Sequence, residues 1–265
     1  MTSSVPPPQG WRGAWERSLA LLLPSTCCLC GAPGAGPVLD LCADCAADLP
    51  LLGSTCERCA EPLDALASPT PVCQHCRTAP PPYEFALTPF AYAWPVDRLV
   101  QRLKFGGERL YARVLGACLA AARRRTGRPL PDLIVPVPLH AARFRERGFN
   151  QAAELARYAG RLLNIRVAHT AVERILATAP QTGLERTRRR DNVRNAFRVR
   201  RRPGPLRIAV VDDVLTTGAT VAEIARTLLA TGVLGVEVWA AARAVLDAPR
   251  GEEFNARAST RAQSR

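Results

Sequence analysis

The chain has 265 residues, room for one medium domain and one small one, and its 48% apolar content is enough for a buried core. Its formal charge is +13, with Lys104 the single lysine and arginine supplying every other basic residue, a balance that favours polyanionic partners such as nucleic acid. No run of about 18 apolar residues occurs, which excludes an integral membrane helix, and Met1–Arg12 lacks the apolar core of a secretory signal, so the expected location is the cytoplasm.

In chain order, residues 1–26 form a lead-in whose stretch Trp11–Leu23 predicts an amphipathic helix. Four CxxC pairs follow: Cys27 with Cys30, Cys42 with Cys45, Cys56 with Cys59 and Cys73 with Cys76. Loops of 11, 10 and 13 residues separate them. In a cytoplasmic protein this density fits thiolate zinc sites better than disulfides, with about two structural zinc ions over residues 27–82. Gly31 suits the tight turn that closes the first knuckle. Sequential pairing puts Cys27, Cys30, Cys42 and Cys45 on one metal and Cys56, Cys59, Cys73 and Cys76 on the other; a crossed arrangement joining alternate pairs is the alternative. Cys28 is an extra neighbour, and Cys118, in an apolar helical stretch, reads as packed.

Three prolines, Pro80 to Pro82, mark a linker, and residues 83–247 read as a second domain. There Phe85–Trp94 predicts a strand, Val96–Phe105 a helix ending before Gly106-Gly107, and Leu110–Arg125 a helix with three arginines in its last turn. Asp132–Pro138 predicts a buried strand stopped by proline. His140–Gln151 reads as a basic loop with Arg143, Arg145 and Arg147, leading into a helix over Gln151–Leu163. Gln181–Arg202 carries nine arginines against Glu185 and Asp191, and its first part reads as a mobile loop. Val238–Val245 predicts the last strand, and residues 248–265 a disordered tail. Strands alternating with helices imply an α/β fold with a parallel, doubly wound sheet, whose ligands bind at the carboxyl ends of the strands.

The most informative stretch lies between. Leu206 to Val211 is an apolar run broken only by Arg207, read as a buried strand. It ends on Asp212 and Asp213. Val214, Leu215, Thr216, Thr217, Gly218, Ala219 and Thr220 follow, and a helix is predicted over Val221–Ala230. Backbone N–H groups at a helix start, with the three threonine hydroxyls and a glycine that lets the backbone come close, suit a monophosphate. Two carboxylates beside them suit the vicinal hydroxyls of a ribose. The plainer alternative is a turn whose Asp and Thr side chains merely cap the helix.

Val210 to Thr220 resembles the phosphoribosyl pyrophosphate (PRPP) loop of type I phosphoribosyltransferases. That resemblance implies a pyrophosphate-facing loop after the other central strand, at Pro138, Leu139, His140, Arg143 and Arg147. It also implies catalytic roles for Asp212 and Asp213. A mobile basic loop closing over a diphosphate would stabilise leaving-group charge, which nominates Arg188, Arg189 and Asn192; a nucleic-acid-binding face is the competing assignment for them.

Further motifs run in order through most of the chain: Leu103-Lys104-Phe105, Val135-Pro136-Val137-Pro138-Leu139, Arg147-Gly148-Phe149-Asn150-Gln151, Gln181-Thr182-Gly183-Leu184 and Arg190-Asp191-Asn192-Val193. With the paired CxxC knuckles and the PRPP loop, they resemble the ComF/GntX family. The resemblance implies a double zinc ribbon joined to a phosphoribosyltransferase-type domain that binds PRPP with Mg²⁺. It also implies a part in natural competence, internalising transforming single-stranded DNA with competence-machinery proteins at the cytoplasmic face of the membrane. An active phosphoribosyltransferase with an unknown acceptor is the alternative function.

Overall fold

A computed structural model describes residues 26–34, 40–63, 71–105, 109–176 and 193–245. The expected helix over Trp11–Leu23, the basic stretch with Arg188, Arg189 and Asn192, and the tail from Ala248 lie outside the described residues. The chain divides into two compact units, Met1–Asp48 and Leu49–Arg265. The first holds helix α1 (Ala43–Ala47) and the first two CxxC pairs. The second holds the other two pairs together with the whole sheet.

The larger unit begins with helix α2 (Gln74–Thr78) and two short strands, β1 (Ala86–Leu87) and β2 (Phe90–Ala91). One strand was expected over Phe85–Trp94. It is divided because Thr88-Pro89 interrupts the ladder and proline has no N–H to give it. Helix α3 (Val96–Phe105) has the expected bounds, and Val96, Leu99, Val100 and Leu103, spaced i, i+3, i+4 and i+7, are fully buried. Helix α4 (Arg109–Arg125) precedes strand β3 (Leu133–Pro136).

The basic loop expected after that strand is instead helix α5 (Ala141–Arg147). Its alanines, arginines and glutamate are good helix formers. The His140 imidazole caps its first turn, accepting from Ala142 N–H at 3.3 Å, and Gly148 closes it in the left-handed region at φ 74°. Asn150 then caps helix α6 (Gln151–Leu163). Beyond it come β4 (Arg166–Val167), β5 (Val172–Arg174), β6 (Phe197–Val199), β7 (Arg207–Leu215), α7 (Ala219–Leu229) and β8 (Gly235–Arg243).

The main sheet has strand order β1-β8-β7-β3-β4, with β2 also on β8, and every pairing is parallel. Strands β5 and β6 form a separate antiparallel ribbon. Successive residues of a strand face opposite sides, and both sides of this sheet are covered. Leu133, Val135, Ile208, Val210, Val236 and Val238 join the core under α7, with Val221, Ile224 and Leu228. On the other face α4 and α6 pack against each other and against the strands. The expected parallel, doubly wound α/β class is the observed one.

A polar cluster lies inside the larger unit. The Arg123 guanidinium, wholly buried, donates to both carboxylate oxygens of Glu237 at 3.0 and 3.2 Å. It also donates to Thr126 Oγ1, Arg128 O and Pro129 O. Trp239 Nε1 donates to the same Glu237 carboxylate at 2.8 Å. Burial raises the Glu237 carboxyl even against the adjacent guanidinium. The cluster is saturated with hydrogen bonds, which makes the buried pair tolerable.

Candidate functional site

Two cysteine clusters are assembled by the same local device. In each, the first pair forms a tight knuckle: Gly31 N–H donates to Cys27 O at 2.9 Å, and Ala60 N–H to Cys56 O at 2.7 Å. The residue closing each turn is left-handed, Gly31 at φ 77° and Ala60 at φ 56°. The second pair sits at a helix start, where the Cys42 and Cys73 sulfurs accept the N–H of Cys45 and Cys76, each at 3.4 Å.

The Sγ atoms of Cys27, Cys30, Cys42 and Cys45 lie within 4.8 Å of one another, as do those of Cys56, Cys59, Cys73 and Cys76. This is the sequential grouping of pairs. The Cys30–Cys42 and Cys59–Cys73 sulfur separations are 3.7 Å, close to the edge of about 3.8 Å for a tetrahedron with metal–sulfur distances of about 2.3 Å. They are far from the roughly 2.05 Å of a disulfide, and none of the ten cysteines is in a disulfide. Four sulfurs this close cannot all ionise without a cation. Burial and the neighbouring sulfurs push the Cys45 and Cys76 thiols up, whereas at Cys27 and Cys56 the effect of burial is outweighed by backbone N–H donors that hold the thiols down. The donor set and spacing fit structural zinc, two ions per chain.

The second site is at the carboxyl end of the sheet, where β3 and β7 run side by side to a common edge, with Pro136 opposite Val211. A cavity of about 510 Å³ opens there, within the size range of small-molecule sites. Asp212, Asp213, Val214, Thr216 and Thr220 form one wall. Pro138, Leu139, Arg143 and Arg147 form another. His140 is not among the lining residues, being engaged at the cap of α5. Leu215 points into the core, and Thr217, Gly218 and Ala219 border a different cavity.

Strand β7 runs further than its apolar stretch. It continues through both carboxylates to Leu215, because β8 offers a ladder partner as far as Arg243. Gly218, at φ 74°, then turns the chain into α7, whose first N–H, that of Ala219, donates to Thr217 Oγ1 at 3.4 Å. Neither carboxylate caps that helix. Asp212 accepts from Asp213 N–H at 2.9 Å, and Asp213 from Val214 N–H at 2.8 Å. Burial, then the adjacent Asp213, raises the Asp212 carboxyl above the usual range.

Several lining residues were not singled out from sequence. Lys104, brought by the end of α3, places its ammonium 2.8 Å from the Asp213 carboxylate. Burial alone would lower its pKa, but Asp213 outweighs that and raises it. Tyr92, Gln101, Asn150, Gln151 and Arg174 also line the cavity. Asn150 Nδ2 donates to Val137 O at 2.9 Å while its Oδ1 caps α6, tying the loop after β3 to that helix. Lys104 and Asn150 stand in motifs visible in the sequence; Arg174, at the end of β5, has no local signal. Ile175 N–H donates to Ala196 O at 2.8 Å, extending the β5–β6 pairing just beyond the ribbon.

Comparison with known proteins fits this description. The double zinc ribbon domain family matches residues 18–78. DNA utilization protein YhgH of Salmonella typhi is 37% identical over 227 residues, 84% of this chain and 99% of its own length. Competence protein F of Haemophilus influenzae is 37% identical over 179 residues, 65% of this chain and 78% of its own. Among solved structures, a purine phosphoribosyltransferase from Pyrococcus horikoshii aligns over 62% of this chain and 82% of its own with a TM-score of 0.31 and 15% identity. With YhgH matched along 99% of its length and competence protein F along 78%, and with both cysteine clusters in place, the chain belongs to the ComF/GntX family that includes YhgH and competence protein F.

Proposed function

We propose that the cavity at the ends of β3 and β7 binds PRPP with Mg²⁺, and that the protein uses this site in DNA uptake, where transforming single strands are brought into the cytoplasm. The observation that carries the ligand is the meeting of three chemistries in one space: the adjacent carboxylates Asp212 and Asp213, the hydroxyls of Thr216 and Thr220, and the arginines of helix α5. Asp212 and Asp213 accept from the ribose hydroxyls, and the turn over 216–220 holds the 5-phosphate. Arg143, Arg147 and Arg174 face the diphosphate from the other wall. Two carboxylates suit a hard cation's preference for oxygen; bound with the diphosphate, magnesium neutralises its charge. Lys104 balances the acidic pair so that an anionic ligand is not repelled from it.

The uptake role is supported by the relatives, named as DNA utilization and competence proteins, and by the chain's charge. Among the described residues no helix is long and apolar enough to cross a membrane. A second reading, a transferase, is favoured by a cavity that has room for an acceptor beside the sugar. The acceptor would form a bond to the anomeric carbon as the bond to diphosphate breaks. The test is equilibrium binding of PRPP to wild type and to Asp212→Ala/Asp213→Ala. Lost affinity in the double variant, with zinc content and fold retained, supports the reading; unchanged affinity overturns it.

A further inference from the structure

The turn over 215–220 has a second set of neighbours, away from the cavity. Arg243, the last residue of β8, is 3% exposed although charged. Its Nη1 donates to Leu215 O at 3.0 Å and also to Thr216 O. Its Nη2 donates to the Glu61 carboxylate. Glu61 stands two residues after Cys59, and its own backbone oxygen accepts Cys56 N–H at 2.7 Å. One arginine therefore spans from the second cysteine cluster to the turn. Tyr83 adds a parallel contact: it is buried, and a Cβ placed on Gly218 would lie 3.3 Å from its hydroxyl. Tyr83, Ala60 of the knuckle and Ala219 of α7 share one apolar core.

These contacts bear on what the turn can bind. In a trans peptide the C=O and the following N–H point in opposite directions. Leu215 O also accepts Ala244 N–H at 3.0 Å, so its peptide is held with or without the arginine; Thr216 O is held by Arg243, which fixes the N–H of Thr217 on the other side. A phosphate site made of backbone N–H groups depends on that orientation being set before the ligand arrives. Glu61 is part of the same arrangement. Without its carboxylate, the Arg243 guanidinium would keep its charge in a buried place with only carbonyl partners.

We propose that Glu61 and Arg243 are positioning residues which make the second cysteine cluster a scaffold of the phosphate-binding turn, so that metal at Cys56, Cys59, Cys73 and Cys76 governs the order of that turn. This rests on the reading of 216–220 as the phosphate site. It assigns that cluster a role in ligand binding beyond holding its own segment together.

The experiment is ¹⁵N relaxation of the backbone amides in zinc-loaded wild type, Glu61→Ala and Glu61→Gln, without ligand, followed by PRPP titration of each. Glu61→Ala should lower the order parameter at Thr217 from the roughly 0.85 of rigid backbone to below about 0.6, while Val210, mid-strand in β7, stays as in wild type and zinc content remains two per chain. PRPP affinity should fall about tenfold. Glu61→Gln keeps an oxygen acceptor for Arg243 and should leave the order parameter as in wild type and the affinity within about threefold. Removing zinc from wild type with a chelator should loosen Thr217 before Val210. An unchanged order parameter at Thr217 in Glu61→Ala overturns the proposal, and so does an equal loss at Val210, which marks general destabilisation. If the turn responds but wild type binds no PRPP, the coupling stands and the assigned ligand fails. If PRPP binds wild type and Glu61→Ala alike over an unaltered turn, the ligand stands and the coupling fails.

Discussion

Replacing Lys104 with methionine removes the cation paired with Asp213. At 2.8 Å and an effective dielectric near 20, the attraction between Lys104 and Asp213 is about 6 kcal/mol before solvation is counted. The two side chains are 24% and 14% exposed, so the desolvation cost of bringing them together offsets most of this. A net of about 1–3 kcal/mol remains, above an exposed surface pair and below a fully buried one. In Lys104→Met that compensation is lost, the carboxylates repel an anionic ligand, and PRPP affinity should fall by roughly 10–100-fold. Methionine preserves the length and apolar stem, so α3 keeps its packing, and circular dichroism with urea unfolding checks that it does. Calorimetric titration with PRPP reads the effect. A variant that folds normally and binds PRPP within about twofold of wild type would refute the assignment of Lys104 to the site.

Metal analysis of purified protein should return about two zinc ions per chain, and loading the apo clusters should release protons, since four thiols must lose theirs; a value near zero contradicts the thiolate sites. Glu237→Leu strands the buried Arg123 guanidinium and should cost about 3–5 kcal/mol in urea unfolding, while a loss below about 1 kcal/mol would show that the pair matters little. The ligand-free protein should lose stability as pH rises. Burial, then Asp213, pushes the Asp212 carboxyl up to about 8, so the native chain holds a proton there that the unfolded chain releases near pH 4. The stabilisation is therefore complete below about pH 4 and declines up to about pH 8. Thermal unfolding should show that decline between about pH 6 and pH 8.5, and Asp212→Asn should flatten it; an identical slope in both proteins removes Asp212 as its source.

How much the sequence revealed depended on whether the information was contiguous. The cysteine knuckles were readable because each is built within six residues, from Cys27 to Ala32 and from Cys56 to Glu61. The strand, acidic pair and turn of 206–220 were readable for the same reason. The end of that strand was not: apolar content stops at Val211, but the ladder continues because β8 supplies partners through Arg243. Helix α5 was mistaken for a loop because its arginines suggested solvent, whereas its cap is an unusual one, the His140 imidazole. Arg174 reaches the cavity from β5 through topology alone, and the motif around Lys104 did not announce that α3 would carry its ammonium to Asp213. Arg243 was hidden more thoroughly. An arginine closing an apolar strand gives no sign that its partners are a carboxylate 182 residues earlier and the carbonyls of the turn after β7.

The central claim is that the cavity takes PRPP, and its most direct test is calorimetric titration of the zinc-loaded protein with PRPP, with and without Mg²⁺. Saturable, magnesium-dependent binding at one site per chain, competed by ribose 5-phosphate, is the result expected. No heat of binding under either condition, from protein that holds two zinc ions and unfolds cooperatively, would contradict it and leave the basic surface and its DNA partner as the basis of function.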